Sequence, residues 1–336
     1  MLTNIAGNSR VRSESVFAGG VLLFMSAAFL LTILAPVILS IVIVFLFAGP
    51  HNYAEVRYFL TRLPARMGRL RPFFMTSFAG IVVLSATLPL LTRLPVWFQW
   101  PSALSVWFVG LWNTGFILWC TVLVHIRSRQ APRHDWAYAW PIGIAIIGLT
   151  WLSPLMLPFL LVYAHPLMAL WILDNELKKS SASLQRVYRR SVLLLPLFLV
   201  ALWMLAGKCQ FVLSEVSPHI KDQILRHTAV PFISRDHDEC LVATHAFLEL
   251  LHYGVWLIAI PLIRGRVFSR EFAVIPLMKS SDSLRAGIRF MLVISVLLVL
   301  ILWIGFAADY TTTRNVYFTV ATFHVLAEIP FLLRLL

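Results

Sequence analysis

Charge is scarce in this chain. Of its 336 residues only 13% are Asp, Glu, Lys or Arg, against 60% hydrophobic, and the mean hydropathy is +0.83. A soluble domain of this length does not carry so little charge, so the soluble classes are excluded and a polytopic helical membrane protein is implied. Acid is scarcer than base, with 15 Asp and Glu against 28 Lys and Arg, a net charge of +13. In a soluble protein that excess would raise nucleic acid as a partner. Here the basic residues sit in loops between apolar runs, so nucleic acid is set aside, and anionic lipid headgroups are their expected contacts.

Several motifs are missing as well. No P-loop and no Gly-x-Gly-x-x-Gly occurs, which argues against ATP-driven transport by this chain alone. No His-Glu-x-x-His is present, so an intramembrane zinc protease is not expected. The clustered histidine boxes of membrane desaturases and the c-type haem motif are absent too. The first apolar run has no small-residue cleavage site of the kind a signal peptide needs.

What is present is a series of apolar runs. Residues 1–16 are polar and carry Arg10 and Arg12, and they read as a cytoplasmic arm. The remainder, 17–336, reads as a single helical domain of about ten spans. The spans fall near 17–34, 36–58, 73–92, 103–125, 137–152, 156–176, 191–210, 241–262, 288–308 and 315–333, with a larger external loop at 211–239. Pro36 divides the first long run, because the residue before a proline is steered away from helix. Every second loop is basic, so the positive-inside rule places both termini in the cytoplasm. A bacterial inner membrane is the expected location. Stretches 177–190 and 266–287 are basic enough to lie against headgroups. Cys209 and Cys240 flank the external loop, where an oxidising compartment would let them pair.

Ionisable groups inside the apolar runs are costly and point to function. His51 and Glu55 stand four residues apart, as do His324 and Glu328 near the other end. That spacing puts each pair on one helical face. His165 lies in a third run, and His245, Glu249 and His252 form a stripe along a fourth. All five histidines fall on spans that run in the same direction. Neutral imidazoles suit iron, copper or zinc, and Glu55, Glu249 and Glu328 would complete the sphere or orient the ligands. Tyr163, Asp174 and Tyr253 are candidates for supporting contacts. The expectation is that these segments converge on one metal site. The same residues would also serve a proton- or cation-coupled transporter, or simply hold helices together.

At these positions the chain resembles the Brp/Blh family of bacterial membrane β-carotene 15,15'-dioxygenases. Pro50-His51 with Glu55 matches that family's early motif, His165 its second histidine, His245 and His252 its later pair, and His324 with Glu328 its last motif. The later pair is spaced seven residues apart where the family has four, Phe323 stands where the family has proline, and the acids are Glu rather than Asp. The resemblance implies iron(II) held by histidines within the membrane and oxidative cleavage of a bilayer-resident lipid such as a carotenoid.

Overall fold

The computed structural model describes residues 2–64, 66–101, 103–130, 136–206, 216–230, 233–264, 275–279 and 281–335. Among the described residues there is no strand. The helices are α1 (Leu2–Leu34), α2 (Pro36–Arg62), α3 (Arg71–Trp97), α4 (Ala103–Gln130), α5 (Ala139–Leu152), α6 (Met156–Ser180), α7 (Ala182–Val192), α8 (Leu195–Leu205), α9 (Pro218–Thr228), α10 (Asp238–Gly254), α11 (Ile260–Arg264), α12 (Asp282–Ala308) and α13 (Tyr310–Leu335). A π-helical stretch, Val255–Ala259, joins α10 to α11 without a break.

Nine helical segments among the described residues are long and apolar enough to cross a bilayer. Their outward faces are apolar. On α12 the exposed side chains include Phe290, Val293, Leu297 and Ile301, whereas His51, Glu55, Asn113, His252 and Glu328 are buried. Lipid as solvent explains this distribution, since polar groups must be satisfied inside the protein. The chain is an integral membrane protein.

The break expected at Pro36 falls there, with α2 starting on the proline, the position where a missing N–H costs nothing. The expected span at 137–152 is realised as α5, a helix of 14 residues. That is about 21 Å at a rise of roughly 1.5 Å per residue, short of the roughly 30 Å hydrocarbon layer, and it ends ahead of Pro154. Among the described residues, nine helices long and apolar enough to cross a bilayer and one short apolar helix therefore stand where ten spans were expected. The polar arm at 1–16 is helical from Leu2 and continuous with the first span.

The expected span at 191–210 is built differently. α7 begins at Ser181, whose hydroxyl accepts the Leu184 N–H, and a turn at 193–194 separates it from α8. α7 overlaps the basic stretch expected at the surface, with Arg186 and Arg190 exposed and Ser183, Gln185, Tyr188 and Ser191 buried. Residues 266–274 and 280 of the second such stretch lie outside the described residues, as does Cys209. Cys240 is a buried free cysteine.

The chain divides into two compact units, one of residues 1–51 and 162–269, the other of 52–161 and 270–336. In the first, α10 is the central helix, with nearly every residue from Cys240 to Tyr253 buried. Phe247 packs its ring 6.4 Å from Phe29 of α1 and 6.0 Å from Phe198 of α8, and Phe29 meets Phe198 edge-on at 5.3 Å. Trp203 donates to Thr244 Oγ1 at 3.0 Å.

In the second unit, α3, α4 and α13 share a core of Phe73, Ile81, Trp112, Phe116, Leu123 and Leu326. Two indoles tie α4 to α3, Trp112 donating to the Leu84 carbonyl at 2.9 Å and Trp119 to that of Thr76 at 3.0 Å. Gly80 permits the second of these contacts, because a Cβ there would overlap the Trp119 indole. Without competing water, such packing and polar ties are what hold membrane helices together.

Candidate metal centre

α10 carries the stripe of His245, Glu249 and His252, all buried. Its Cα positions spread the two histidines about 10 Å along the helix axis, so they meet different neighbours. His252, at 1% exposure, is the inner one. Its ring centre lies 4.5 Å from that of His165 on α6 and 5.3 Å from that of His51 on α2. His165 and His252 each offer a ring nitrogen within 4.8 Å of the other. Three histidines from three helices of the first unit thus come together around His252.

Two prolines shape this arrangement. Pro50 precedes His51 and Pro166 follows His165, both inside their helices. A proline there withdraws one N–H from the ladder, and membrane helices accept this where other groups can use the freed carbonyls. His51 makes a side-chain contact within its own helix, as its Nδ1 donates to the Phe47 carbonyl at 2.9 Å. A carbonyl can only accept, so Nδ1 holds the proton and Nε2 carries the lone pair. A backbone-anchored Nδ1–H with Nε2 as donor atom is the usual arrangement of a metal-bound histidine.

His165 and His252 stand among the residues whose ligand atoms are close enough to hold one ion. An imidazole nitrogen binds a divalent ion at about 2.0–2.1 Å, which places neighbouring rings of one tetrahedral ion roughly 5 Å apart, centre to centre. The observed 4.5 and 5.3 Å bracket that separation. Tyr253 packs its ring 4.3 Å from His51, and the indole of Trp256, fully buried, is 6.4 Å from His252. These aromatics make the surroundings apolar on the α10 side.

The other candidates lie elsewhere. His245 faces Glu249, at 3.6 Å between Nε2 and Oε1, and the rings of Tyr163 and His227 at 5.8 and 5.3 Å. Asp174 clamps α6 to α7, accepting from Arg189 at 2.7 and 2.8 Å and from Gln185 at 2.9 Å. In the second unit, Glu55 and His324 present ligand atoms within 4.8 Å of each other, and Glu328 is fully buried one turn beyond His324.

His227 was not among the residues the sequence singled out. It sits in a polar stretch that reads as an external loop, and no periodic signal marks it. Only the docking of α9 against α10 brings it to His245.

The first unit also contains a cavity of about 1140 Å³, lined mainly by apolar residues of α1, α6, α8 and α10, among them Phe24, Leu170, Leu195 and Leu251. Ser181 and Tyr188 of the α7 region add polar groups to its wall. No family model, curated protein or solved structure matches the chain.

Proposed function

We propose that this protein is an integral membrane metalloenzyme in which His51, His165 and His252 hold a transition-metal ion within the bilayer and the substrate is an apolar lipid. The observation that carries the reading is the placement of the His252 ring next to those of both His165 and His51. Three neutral imidazoles suit iron(II), and zinc or copper would also be accepted. Bound iron would supply oxygen activation, in keeping with the resemblance to the membrane carotenoid dioxygenases. The protein's own part is to fix the imidazoles, through the Phe47 carbonyl for His51, and to exclude water with Tyr253 and Trp256.

The apolar cavity supports a lipid substrate. Leu251 and Val255, which line it, lie on either side of His252 in the chain. Exposed Lys178, Arg186 and Arg190, close in the chain to Ser181 and Tyr188 of its wall, suit anionic headgroups. In this reading the basic helix ends face the cytoplasm, both termini lie on that side, and the membrane is a bacterial inner membrane.

Metal analysis of detergent-purified protein tests the assignment, with wild type beside His165→Ala and His252→Ala. The expected result is near-stoichiometric iron in the wild type, lost in both variants, together with oxygen-dependent turnover of a carotenoid presented in liposomes. Folded wild-type protein that takes up no iron, zinc or copper, yet carries proton-linked flux, would replace this reading with a transporter.

A further inference from the structure

Arginines from three helices meet at one end of the second unit. Arg62 closes α2, Arg127 stands in the last turn of α4, and Arg334 in the last turn of α13. Arg334 donates from Nη1 to the Arg62 carbonyl at 2.8 Å, across 272 positions of chain. Its guanidinium lies 5.2 Å from the Phe74 ring of α3, and the charges of Arg127 and Arg62 both act on it. Their chain neighbours Leu63, Ile126 and Leu333 pack against one core that includes Phe73 and Phe74. Gln130 donates to the Arg69 carbonyl at 2.8 Å, which pins the end of α4 to the approach to α3.

A basic residue at a helix C-terminus is ordinary, because it complements the negative end of the dipole. Gathering three of them is not, since like charges at close range repel. The segments that carry them bring no acid, as residues 56–72, 103–134 and 329–336 contain neither Asp nor Glu. The Arg62 carbonyl and the face of Phe74 occupy part of the Arg334 guanidinium. Among the described residues the buried Nε of Arg127 has no hydrogen-bond partner, and a buried N–H left in that state is costly. An anion held between the three satisfies that donor and offsets the repulsion. Phosphate is the anion that guanidiniums suit best, since their paired N–H groups match its oxygens.

The outer face of α3 indicates which phosphate. Arg71, Met75, Phe78 and Val82 are all exposed, and their spacing puts them on one stripe of the helix. The stripe runs from the level of the arginines into apolar depth. A soluble phosphate has no use for it, whereas the acyl chains of a phospholipid lie along it. The same stripe starts at the positive pole of α3, where no side chain caps the helix. Basic pockets between membrane helices are where anionic headgroups bind.

We propose that Arg62, Arg127 and Arg334 form a binding site for the phosphodiester of an anionic phospholipid, whose acyl chains run along α3 from Arg71. The site lies wholly within the second unit and does not depend on the metal reading.

The test titrates full-length protein in neutral detergent with phosphatidylglycerol or phosphatidylcholine. Native mass spectrometry reads the bound lipid, and melting temperature is recorded beside it. Wild type is expected to retain phosphatidylglycerol in preference to phosphatidylcholine. Arg127→Gln should weaken that binding by about 5-fold or more, the effect of one basic residue at an anionic surface, and should melt as the wild type does without lipid. Arg334→Gln should weaken it too. Because Arg334 also holds the Arg62 carbonyl, Arg334→Lys is measured alongside and should recover part of the affinity. Arg93→Gln removes the same charge from an exposed position near the other end of α3 and should leave binding unchanged. Equal retention of phosphatidylglycerol by wild type and Arg127→Gln would overturn the proposal, as would an equal loss in Arg93→Gln. Inorganic phosphate that raises the melting temperature as much as phosphatidylglycerol does would make the ligand a soluble anion and overturn the lipid assignment.

Discussion

The ring of His165 on α6 lies 4.5 Å from that of His252 on α10, inclined at 49°. The two residues are 87 positions apart in the chain, and the apolar runs that carry them have no sequence feature in common beyond their hydropathy. Their meeting brings two histidines of distant chain segments side by side. Each imidazole presents a nitrogen to the other, and His51 closes on the same ring from α2.

The metal reading makes a graded prediction. His252 touches both other rings, so His252→Ala should reduce iron affinity by more than the roughly 10–100-fold typical of losing an orienting contact. Tyr253→Phe keeps the ring beside His51 and should change affinity by less than about 10-fold. Isothermal titration with the chelator-treated protein measures both. Equal losses in the two variants would point to a packing defect rather than a lost ligand.

The first unit's core is predicted to depend on Phe247. Its ring is fully buried and meets Phe29 and Phe198. Phe247→Ala should destabilise the protein by about 3–5 kcal/mol, through lost contacts and the cavity left behind. Unfolding in detergent, followed by tryptophan fluorescence, reports the change, and a loss under about 1 kcal/mol would mean that the site collapses to fill the space.

Two glycines should behave oppositely in the second unit. A methyl group at Gly80 would overlap the Trp119 indole, while one at Gly148 meets nothing within 4 Å. Gly80→Ala should therefore cost roughly 1–3 kcal/mol by overpacking and loosen the Trp119 bond to Thr76. Gly148→Ala should be neutral or slightly stabilising, since alanine is the better helix former. Paired melting curves decide the matter.

Asp309, between α12 and α13, supplies a pH-dependent contribution. Its Oδ1 accepts the Thr312 N–H at 3.1 Å, and hydrogen bonds from Thr312 hold its carboxyl below the usual carboxylate range. A depressed carboxylate contributes stability above its unfolded value and loses it as the pH falls through its folded one. Asp309→Ala should thus lower the melting temperature at pH 7, and the gap from wild type should narrow on acidification towards pH 3. A gap independent of pH would show that the carboxylate charge plays no part.

The basic helix ends set an expectation for α5. Arg62 closes α2, Arg127 and Arg129 close α4, and Lys178 and Lys179 close α6. Keeping all three ends on one face requires one crossing between α4 and α6, and α5 is the apolar helix that lies there. At about 21 Å it would need local thinning of the bilayer. With the native cysteines replaced, an impermeant maleimide added from outside should label Ser153→Cys and Gln99→Cys but not Met67→Cys. Labelling of Ser153→Cys only together with Met67→Cys would mean that α5 returns to the side it left.

The sequence by itself determined that this is a helical membrane protein, because lipid leaves the backbone no alternative to helix and the long apolar runs are visible by composition. It placed the break at Pro36, which follows from local sterics, and it singled out His51, His165, His245 and His252 because an ionisable group in an apolar run stands out by its cost. Tertiary structure decided the remainder. The length of α5 turns on where packing and Pro154 end a helix, and α7 buries Gln185 because Asp174 waits on α6. Which histidines share a neighbour depends on helix rotation and tilt, set by contacts such as Phe29 with Phe198 and Phe247 that join distant parts of the chain. His227 shows the difference most plainly. Its place beside His245 goes with a single phenol, Tyr163, bridging the carbonyls of Thr228 and Leu241, and nothing in the order of residues encodes that meeting.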